Sequence, residues 1–409
     1  MHATPAHLPK YQHHFLMQQA DIKEYATQEL RLFPLDATLL VTEIGDGNIN
    51  YVFRIEEQET GRSVVIKQAD TLLRSSGRPL SIDRSRIEAE ILRWQNELAP
   101  VYVPKVIHFD PIMYALTMED IFDYQNMRYQ LIEKQVFPNF SQEISSYLTE
   151  VLLPTSDLIL DRALKKQKVR QFVNIEMSDI SEDLVFTEPY DDYKKRNVLT
   201  IGNEAFVHQQ LYENNRLQTE VAWLRDRFMN QAQALIHGDL HTGSLFINTS
   251  GLKVIDPEFA FYGPIGYDIG NVLAHLYFPL VKNRLDGSFD KAFNDWLLHT
   301  IKEVYDHTYE KFTALYDQQV QLPLYQNLAF KKEWLAAVFA DAVGYAGTEI
   351  IRRVVGDSKV KELSLLEDHS KQLQMERILI QTGMQLILKR QEITRGQQLI
   401  ELFYQAEEL

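Results

Sequence analysis

The chain has 409 residues, 45% of them hydrophobic, and a formal net charge of -15 at pH 7. This length exceeds what one hydrophobic core usually supports, so we expect two lobes. The acidic charge disfavours general affinity for nucleic acid or an anionic membrane surface. The absence of cysteine excludes disulfides, iron–sulfur clusters, thiolate zinc sites and a cysteine nucleophile.

The start of the sequence, residues 1–10, is polar and has no apolar signal core. No apolar run approaches the length that a bilayer span needs. We therefore expect a cytoplasmic protein that binds neither membranes nor nucleic acid. The irregular spacing of His2, His7, His13 and His14 favours solvated terminal side chains over a metal-binding tract.

Residues 20–33 have helical character, and strand-like runs follow at 38–44 and 50–56. The loop between these runs, G-D-G-N-I at 45–49, contains two glycines, so its backbone can approach a ligand such as a phosphate group closely. An ordinary hairpin turn explains the same residues equally well. The loop alone is therefore a weak indication of nucleotide binding.

A third strand-like run at 63–69 carries Lys67 among apolar neighbours. A lysine in such surroundings needs either a partner anion, for which a nucleotide phosphate is a candidate, or solvent at an edge strand. A helical segment begins near residue 82 and has two glutamates in its early turns. Glu88 is the expected partner of Lys67, and Glu90 is the alternative because spacing alone does not decide.

Two more strand-like runs, 105–110 and 113–118, lead to Glu119 and Asp120, after which helical patterning dominates. We place the lobe boundary there, which gives an N-terminal and a C-terminal lobe at 1–118 and 119–409. A nucleotide base can pair with main-chain groups at such a crossing. Met118 would supply an apolar contact to that base.

The most informative segment is L-I-H-G-D-L-H-T-G-S-L-F-I-N at 235–248, followed by K-V-I-D-P-E-F at 253–259. Apolar runs enter and leave the loop that holds Asp239, and a further run ends at Asp256, two residues before Glu258. One carboxylate is placed to take a proton from a hydroxyl, and two can hold a divalent cation on a nucleotide. Phosphoryl transfer needs this apparatus, since it depends on positioning and charge neutralisation. A structural or metal-binding H-x-D-x-H explains only part of the layout.

Helical spacing recurs at 217–228 and at 331–355, where small residues permit close packing. The second helix ends with Glu349, Arg352 and Arg353. Adjacent positions on a helix point about 100° apart. We therefore expect one arginine to face the site and the other to face a partner or solvent, with a surface salt bridge as the alternative.

Six motifs are spread over nearly the whole chain. They are I-G-D-G-N-I-N-Y-V-F-R-I at 44–55, I-K-Q-A at 66–69, T-M-E-D at 117–120, H-G-D-L-H-T-G-S at 237–244, V-I-D-P-E-F-A-F-Y-G-P-I-G-Y-D at 254–268 and G-T-E-I-I-R-R at 347–353. Together they resemble the 5-methylthioribose kinase family. Two features separate this family from related choline, aminoglycoside and homoserine kinases: Ser244 replaces a metal-binding Asn, and D-P-E replaces D-F-G, so that Glu258 adds a carboxylate. Pro257 fixes its own φ, which should stiffen the loop.

The resemblance implies an α+β fold of the bilobal protein-kinase-like type, with an N-terminal antiparallel sheet and a mostly helical C-terminal lobe. It implies ATP-dependent phosphorylation of S-methyl-5-thio-D-ribose at the anomeric hydroxyl in methionine salvage, with Mg²⁺ as cofactor and a homodimeric assembly. Asp239 would be catalytic and bind the sugar, with Arg352 or Arg353 also reaching the substrate. Asp256 and Glu258 would hold magnesium. The residues implied to contact ATP are Gly47, Asn48, Asn50, Lys67, Met118, Glu119, Asp120, Asp256, Pro257 and Glu258.

Two other classes of function stay open at this point. A kinase for another small alcohol, of the choline, homoserine or aminoglycoside type, would need an acidic acceptor pocket for a cationic substrate rather than arginines near the site. A non-catalytic nucleotide-binding protein would not need the complete set of Lys67, Asp239, Asp256 and Glu258.

Overall fold

The computed structural model describes residues 8–44, 50–72 and 79–408. Gly47 and Asn48, which the sequence assigns to nucleotide binding, lie outside the described residues. The chain divides into two compact units. Unit 1 comprises Met1–Asp123 and Ile255–Glu258, and unit 2 comprises Tyr124–Val254 and Phe259–Leu409.

Unit 1 is built on a five-stranded antiparallel sheet with the spatial order β1-β2-β3-β5-β4. The strands β1 to β5 are Leu39–Glu43, Tyr51–Glu57, Ser63–Gln68, Val106–Asp110 and Ala115–Glu119. Strand β3 pairs with β2 on one side and β5 on the other, and its residues after Ser63 are all buried. Lys67 therefore lies on a central strand, which excludes the alternative of an edge-strand lysine in solvent.

Two helices cover this sheet. Helix α1, Gln19–Glu24, continues into a π-helical turn at Tyr25–Glu29, so the helical region predicted at 20–33 ends earlier than expected. Tyr25 packs in the core with Phe53 and its hydroxyl donates to Asp110 Oδ2 at 2.6 Å. Burying each such large apolar side chain stabilises the fold by roughly 1.5–3 kcal/mol. Helix α2, Arg84–Leu98, buries residues that include Ile87, Glu88 and Ile91.

Unit 2 is mostly helical, as predicted. Its helices α3 to α15 are Met127–Ile132, Phe140–Leu152, Arg162–Gln171, Ile175–Phe186, Glu188–Asp191, Glu204–Val207, Asn215–Asn230, Gly266–Leu285, Lys291–Gln319, Leu328–Val355, Lys361–Ser364, His369–Lys389 and Gln397–Glu407. Five short strands, β6 to β10, are Gln125–Asn126, Ala234–Ile236, Leu245–Ile247, Leu252–Val254 and Phe261–Gly263. They form a three-stranded sheet in the order β6-β8-β9 and a separate β7–β10 pair. The predicted α+β class is confirmed.

Helix α12 is the central helix of unit 2. It begins at the Asn327 cap, whose side chain accepts the N–H groups of Ala329 and Phe330. A Cβ added at Gly270 of α10 would come within 2.6 Å of the Ala342 carbonyl, and one at Gly347 within 2.4 Å of the Gly383 carbonyl in α14. The small residues therefore permit the close packing that the sequence predicts, and they fix the helix that carries the arginine pair.

The same helix is, among the described residues, the one that is long and apolar enough to cross a membrane. An 18-residue window of it passes by length and composition, so the prediction that no run approaches a bilayer span was wrong by this measure. However, 78% of that window is buried inside the protein. A buried core helix passes the same test, so the helix is weak evidence for a membrane span.

Candidate active site

The buried Lys67 lies among carboxylates within unit 1. Its Nζ donates to Glu88 Oε1 at 2.8 Å and also binds Asp256. Glu88 is therefore the partner that spacing alone could not identify, while Glu90 pairs with Arg86. Burial alone would lower the pKa of Lys67, but the carboxylates of Asp256 and Glu88 raise it above its ordinary value. Lys67 is thus a fixed positive charge in the sheet.

The D-P-E loop is held at both of its carboxylates. Asp256 has a φ of +62°, the left-handed region that a non-glycine residue rarely adopts, and its carboxylate binds Lys67. Glu258 is buried, and its Oε2 accepts from Asn50 Nδ2 at 3.1 Å. Pro257 begins a short 3₁₀ segment, Pro257–Phe259. The structure thus brings together Asn50, Lys67 and the two carboxylates of the loop.

Arg84 also belongs to this group, although no role was predicted for it from the sequence. It is 0% exposed, and its Nη2 donates to Asn50 Oδ1 at 3.0 Å. Its Nε lies 3.3 Å from Glu258 Oε2, an ion-pair distance, although that N–H makes no well-aligned hydrogen bond. One signal was present in the sequence: Arg84 is the first residue of α2, and the positive end of a helix dipole disfavours a cation there unless a carboxylate compensates.

The three residues predicted to contact the nucleotide base lie at the end of β5 and just after it. Met118 is buried, Glu119 accepts the Lys105 N–H at 3.0 Å, and Asp120 accepts Arg54 Nε at 2.6 Å. Because both carboxylates are bonded within unit 1, a base would have to use main-chain groups here. The base contact itself stays a prediction.

In unit 2 the loop after β7 is anchored to the start of α10. The buried Asp268 carboxylate accepts the N–H groups of His237 at 2.7 Å and Gly238 at 3.0 Å. Gly238 has a φ of +84°, and a Cβ there would lie 2.4 Å from the Phe259 carbonyl. Only glycine fits this position. These contacts set the backbone from which Asp239 projects.

Asp239 is bound by both arginines of α12. Its Oδ1 accepts from Arg352 Nη2 at 3.1 Å and from Arg353 Nη2 at 3.2 Å. The expectation that only one arginine faces the site was therefore wrong. Glu349, three and four residues earlier, binds the Nε of both arginines, at 2.8 Å for Arg353. These long side chains bend toward a shared pair of carboxylates, which the angle between their Cα–Cβ bonds does not reveal.

The electrostatics of this group favour ionised carboxylates. Burial alone would raise the pKa of Asp239, but His241, Arg353 and Arg352 bring it well below the ordinary value. Arg352 and Arg353 likewise lower the pKa of the buried Glu349. Asp239 is therefore a stable anion.

Two further residues complete the group around Glu349 and Asp239. His275 Nε2 lies 2.9 Å from Glu349 Oε1, and burial lowers the pKa of His275 to about 3, so that its ring is neutral. Arg128 Nη2 lies 3.2 Å from Nδ1 of His241 in the loop after β7. No pattern in the sequence marked Arg128, which is far from the motifs along the chain.

Among the described residues, no group of three or more His, Cys, Asp or Glu side chains is arranged to hold a metal ion. Magnesium on a nucleotide usually takes only one or two protein carboxylates, and phosphate oxygens and water complete its shell. The side chain of Asp256 is 44% exposed, so a cation can reach it, and Glu258 lies two residues further along the same loop. The D-P-E carboxylates therefore fit this kind of magnesium site.

Ser244 is the residue that the family resemblance places where related kinases carry a metal-binding Asn. It is buried, and its hydroxyl donates to the Asp239 carbonyl at 3.2 Å. This bond lies inside the loop after β7, so the structure gives Ser244 a role in the loop's own conformation.

Comparison with known proteins agrees with this geometry. Residues 180–304 match the model of the phosphotransferase enzyme family. The chain is 35% identical over 373 residues to a methylthioribose kinase of Yersinia pseudotuberculosis serotype O:1b (strain IP 31758), covering 90% of this chain and 91% of the relative. It is 36% identical over 378 residues to a methylthioribose kinase of Geobacillus sp. (strain WCH70), covering 92% of both.

Among solved structures, the chain is similar to a choline kinase from Cryptosporidium parvum Iowa II, with a TM-score of 0.49, 13% identity, and coverage of 90% of this chain and 98% of that one. Kinases of this phosphotransferase type use ATP and typically a divalent metal. The identity to curated relatives extends over nearly the whole length of both chains. This protein therefore belongs to the methylthioribose kinase family.

Proposed function

We propose that this protein transfers the γ-phosphoryl group of ATP to the anomeric hydroxyl of S-methyl-5-thio-D-ribose, giving S-methyl-5-thio-α-D-ribose 1-phosphate and ADP in methionine salvage. The observation that carries the proposal is Asp239, which lies in a loop of the kinase type and is bound by Arg352 and Arg353. The similarity to methylthioribose kinases supports the choice of acceptor. On the family resemblance we also propose a cytoplasmic homodimer.

At the nucleotide end, Lys67 binds phosphate oxygens of ATP, and Asn50 also contacts the nucleotide. Asp256 and Glu258 would hold Mg²⁺, which neutralises charge on the phosphates when it is bound. The buried pairs of Lys67 with Glu88 and of Asn50 with Glu258 keep these groups in place before the ligand arrives. Such preorganisation is what phosphoryl transfer chiefly requires of a protein.

At the acceptor end, Asp239 binds and orients the sugar hydroxyl. Its lowered pKa makes it a weak base, but a loose phosphoryl-transfer transition state needs little early removal of the proton. Asp239 therefore acts first by orientation and accepts the proton late. The guanidinium groups of Arg352 and Arg353 supply fixed donors for the sugar or for the phosphoryl group as it moves.

The positive charges of Arg352 and Arg353 also argue against choline and aminoglycosides as acceptors. Choline and aminoglycosides are cationic, and a site for them needs a surplus of carboxylates around the acceptor. Here the described neighbours of Asp239 include Arg352 and Arg353, and Arg128 binds the adjacent His241. We therefore favour a neutral acceptor whose product is an anion.

A panel of acceptors tests the proposal. Purified protein is incubated with ATP and Mg²⁺ plus methylthioribose, ribose, choline or an aminoglycoside, and ADP release and the phosphorylated product are measured by coupled assay and ³¹P NMR. We expect turnover with methylthioribose to exceed turnover with ribose. We expect no turnover with choline or the aminoglycoside. Preferential phosphorylation of a cationic alcohol would overturn the choice of acceptor. Nucleotide binding without turnover on the whole panel would favour the non-catalytic class.

A further inference from the structure

The ring of His241 lies between two hydrogen-bond donors, with a serine hydroxyl beside them, and the carboxylate of Asp239. Close to Nδ1 lie the Gly243 N–H at 2.9 Å, Arg128 Nη2 at 3.2 Å and Ser244 Oγ at 3.4 Å. On the opposite side, Nε2 lies 3.4 Å from Asp239 Oδ2. We propose that His241 is a positioning residue, a neutral imidazole whose Nε2–H holds the Asp239 carboxylate in its working orientation. This inference rests on the proposed function, in which Asp239 orients the acceptor hydroxyl.

The partners of Nδ1 determine where the ring carries its proton. A backbone N–H and a guanidinium can only donate, so Nδ1 must accept from Gly243 and Arg128. A neutral imidazole with a lone pair on Nδ1 carries its hydrogen on Nε2, the nitrogen that faces Asp239. Burial and the Arg128 charge lower the pKa of the ring against the effect of Asp239, which agrees with a neutral donor.

The carboxylate of Asp239 thereby has a different partner on each oxygen. Oδ1 is bound by the two arginines of α12, and Oδ2 faces the ring of His241 in the loop. Rotation about the Cβ–Cγ bond moves both oxygens together, so a donor at Oδ2 adds to the resistance that the two arginines at Oδ1 already offer to this rotation. The Nε2–Oδ2 distance of 3.4 Å is long for a hydrogen bond, and such contacts in ligand-free sites commonly shorten when substrate binds.

The start of α3 holds the Arg128 guanidinium against the ring. Arg128 N–H donates to the Thr242 carbonyl at 3.2 Å, and Asn126 Nδ2 donates to the Gly243 carbonyl at 2.8 Å. A Cβ added at Gly243 would lie 2.7 Å from His241 Cε1 and 2.8 Å from Arg128 Nη2. Glycine at this position is therefore what allows the guanidinium and the ring to meet.

A purely structural role for His241 predicts a different result from a positioning role. If the ring serves only to accept the Gly243 N–H, the Nδ1 side matters and asparagine is the better substitute, because its amide reaches about as far as Nδ1. If Nε2–H holds Asp239, glutamine is the better substitute, because its longer side chain carries a donor to about the position of Nε2. The two amides differ by one methylene, so their order of activity separates the two roles.

The experiment compares His241→Gln, His241→Asn and, as a control at a surface histidine paired with Glu303, His299→Asn. For His241→Asn we expect kcat to fall by about 10- to 100-fold, the scale of one lost hydrogen bond to a charged group, with the KM for ATP unchanged. His241→Gln should retain most of the activity, and His299→Asn should match the wild type. Thermal unfolding of each variant checks that the fold is intact. Asparagine equal to or better than glutamine would overturn the proposal.

A second measurement needs no turnover. In protein labelled with ¹⁵N-histidine, the ring signals lost in His241→Asn identify His241, and their shifts report which nitrogen carries the proton. We expect a neutral ring protonated at Nε2 near neutral pH. A ring protonated at Nδ1, or at both nitrogens, would refute the inference even if methylthioribose is phosphorylated. A wild type inactive on methylthioribose would instead refute the proposed function, and the ring signals would still decide the state of His241.

Discussion

The carboxylate cluster of unit 1 and the arginine cluster of unit 2 differ in the charge that they leave uncompensated. In unit 1 three carboxylates face two cations, and the members are Glu88, Asp256, Glu258, Lys67 and Arg84. In unit 2 three arginines surround two carboxylates and two histidines, and the members are Arg128, Arg352, Arg353, Asp239, Glu349, His241 and His275. A third buried carboxylate, Glu362, interacts electrostatically with Arg128 and Arg353. The first group therefore has more carboxylates than cations, which favours a cation such as magnesium, whereas the second balances its three arginines with three carboxylates and offers N–H donors at fixed positions. Fixed charges and donors of this kind are how preorganised sites stabilise a transition state.

The largest effect is expected for a substitution of Asp239, the carboxylate at the centre of the arginine cluster. Asp239→Asn removes the charge that binds both guanidinium groups and orients the hydroxyl. We expect kcat to fall by about 10² to 10⁴-fold, the usual contribution of a positioned base, while the nucleotide Kd changes little. Initial rates and calorimetric ATP titration measure the two quantities separately. Near-normal turnover would remove Asp239 from the catalytic role.

The arginines themselves are the next test. Arg352→Lys and Arg353→Lys each keep the charge but lose the planar fork that reaches Asp239 and Glu349 together. Because both guanidinium groups bind Asp239, we expect each variant to lose about 1–3 kcal/mol of transition-state stabilisation in kcat/KM for methylthioribose. Arg284→Lys, at a partly buried ion pair with Glu407, is the control. If neither variant changes kcat/KM, the pair is structural and other residues bind the acceptor.

A smaller effect should appear in the carboxylate cluster. Glu258→Gln removes one negative charge from the D-P-E loop, so we expect a higher magnesium requirement and a lower kcat, by roughly 10-fold for one weakened charged contact. Ser244→Ala should do much less, because the Ser244 hydroxyl donates to the Asp239 carbonyl. Magnesium titration at fixed ATP compares them. Equal damage from both variants would assign the metal to Ser244 as well.

The smallest effect at neutral pH concerns His275. Burial lowers its pKa from 6.5 to about 3, so the unfolded chain binds a proton that the folded protein does not over this range. The free energy of unfolding should therefore fall as the pH decreases from about 6.5 to about 3. Above that range His275 should make no contribution to the pH dependence of stability. His275→Gln should flatten this part of the curve in urea unfolding at several pH values. An unchanged slope would show that other groups dominate.

The sequence predicted the parts of the fold that depend on local pattern. All five strands of unit 1 and the helices at 217–228 and 331–355 appear close to their expected places, because alternation and helical spacing are local properties. The Lys67–Glu88 pair was predicted with one alternative, because residues two apart in a helix differ in direction but not in chemistry.

The other contacts of the site could not be predicted, because they depend on the positions of the terminal groups of long side chains. The convergence of Arg352 and Arg353 on Asp239 was predicted wrongly, since the direction of a Cα–Cβ bond does not fix the position of a guanidinium group several bonds away. The Arg128–His241 contact joins residues far apart along the chain, and no periodicity marks such a pair. Arg84 was visible only as a cation at the unfavourable end of a helix.

The close packing of α12 through Gly347 and Gly383 has a consequence for how acceptor choice can change during evolution. A side chain at either glycine would push the helix away from its neighbour and carry the arginine pair with it. Drift in acceptor preference should therefore come mainly from the loops that surround the arginines, because the buried part of the helix around these glycines tolerates little variation. In laboratory selection for new acceptors, substitutions at Gly347 and Gly383 should be rare, and variants that carry them should be mostly unfolded.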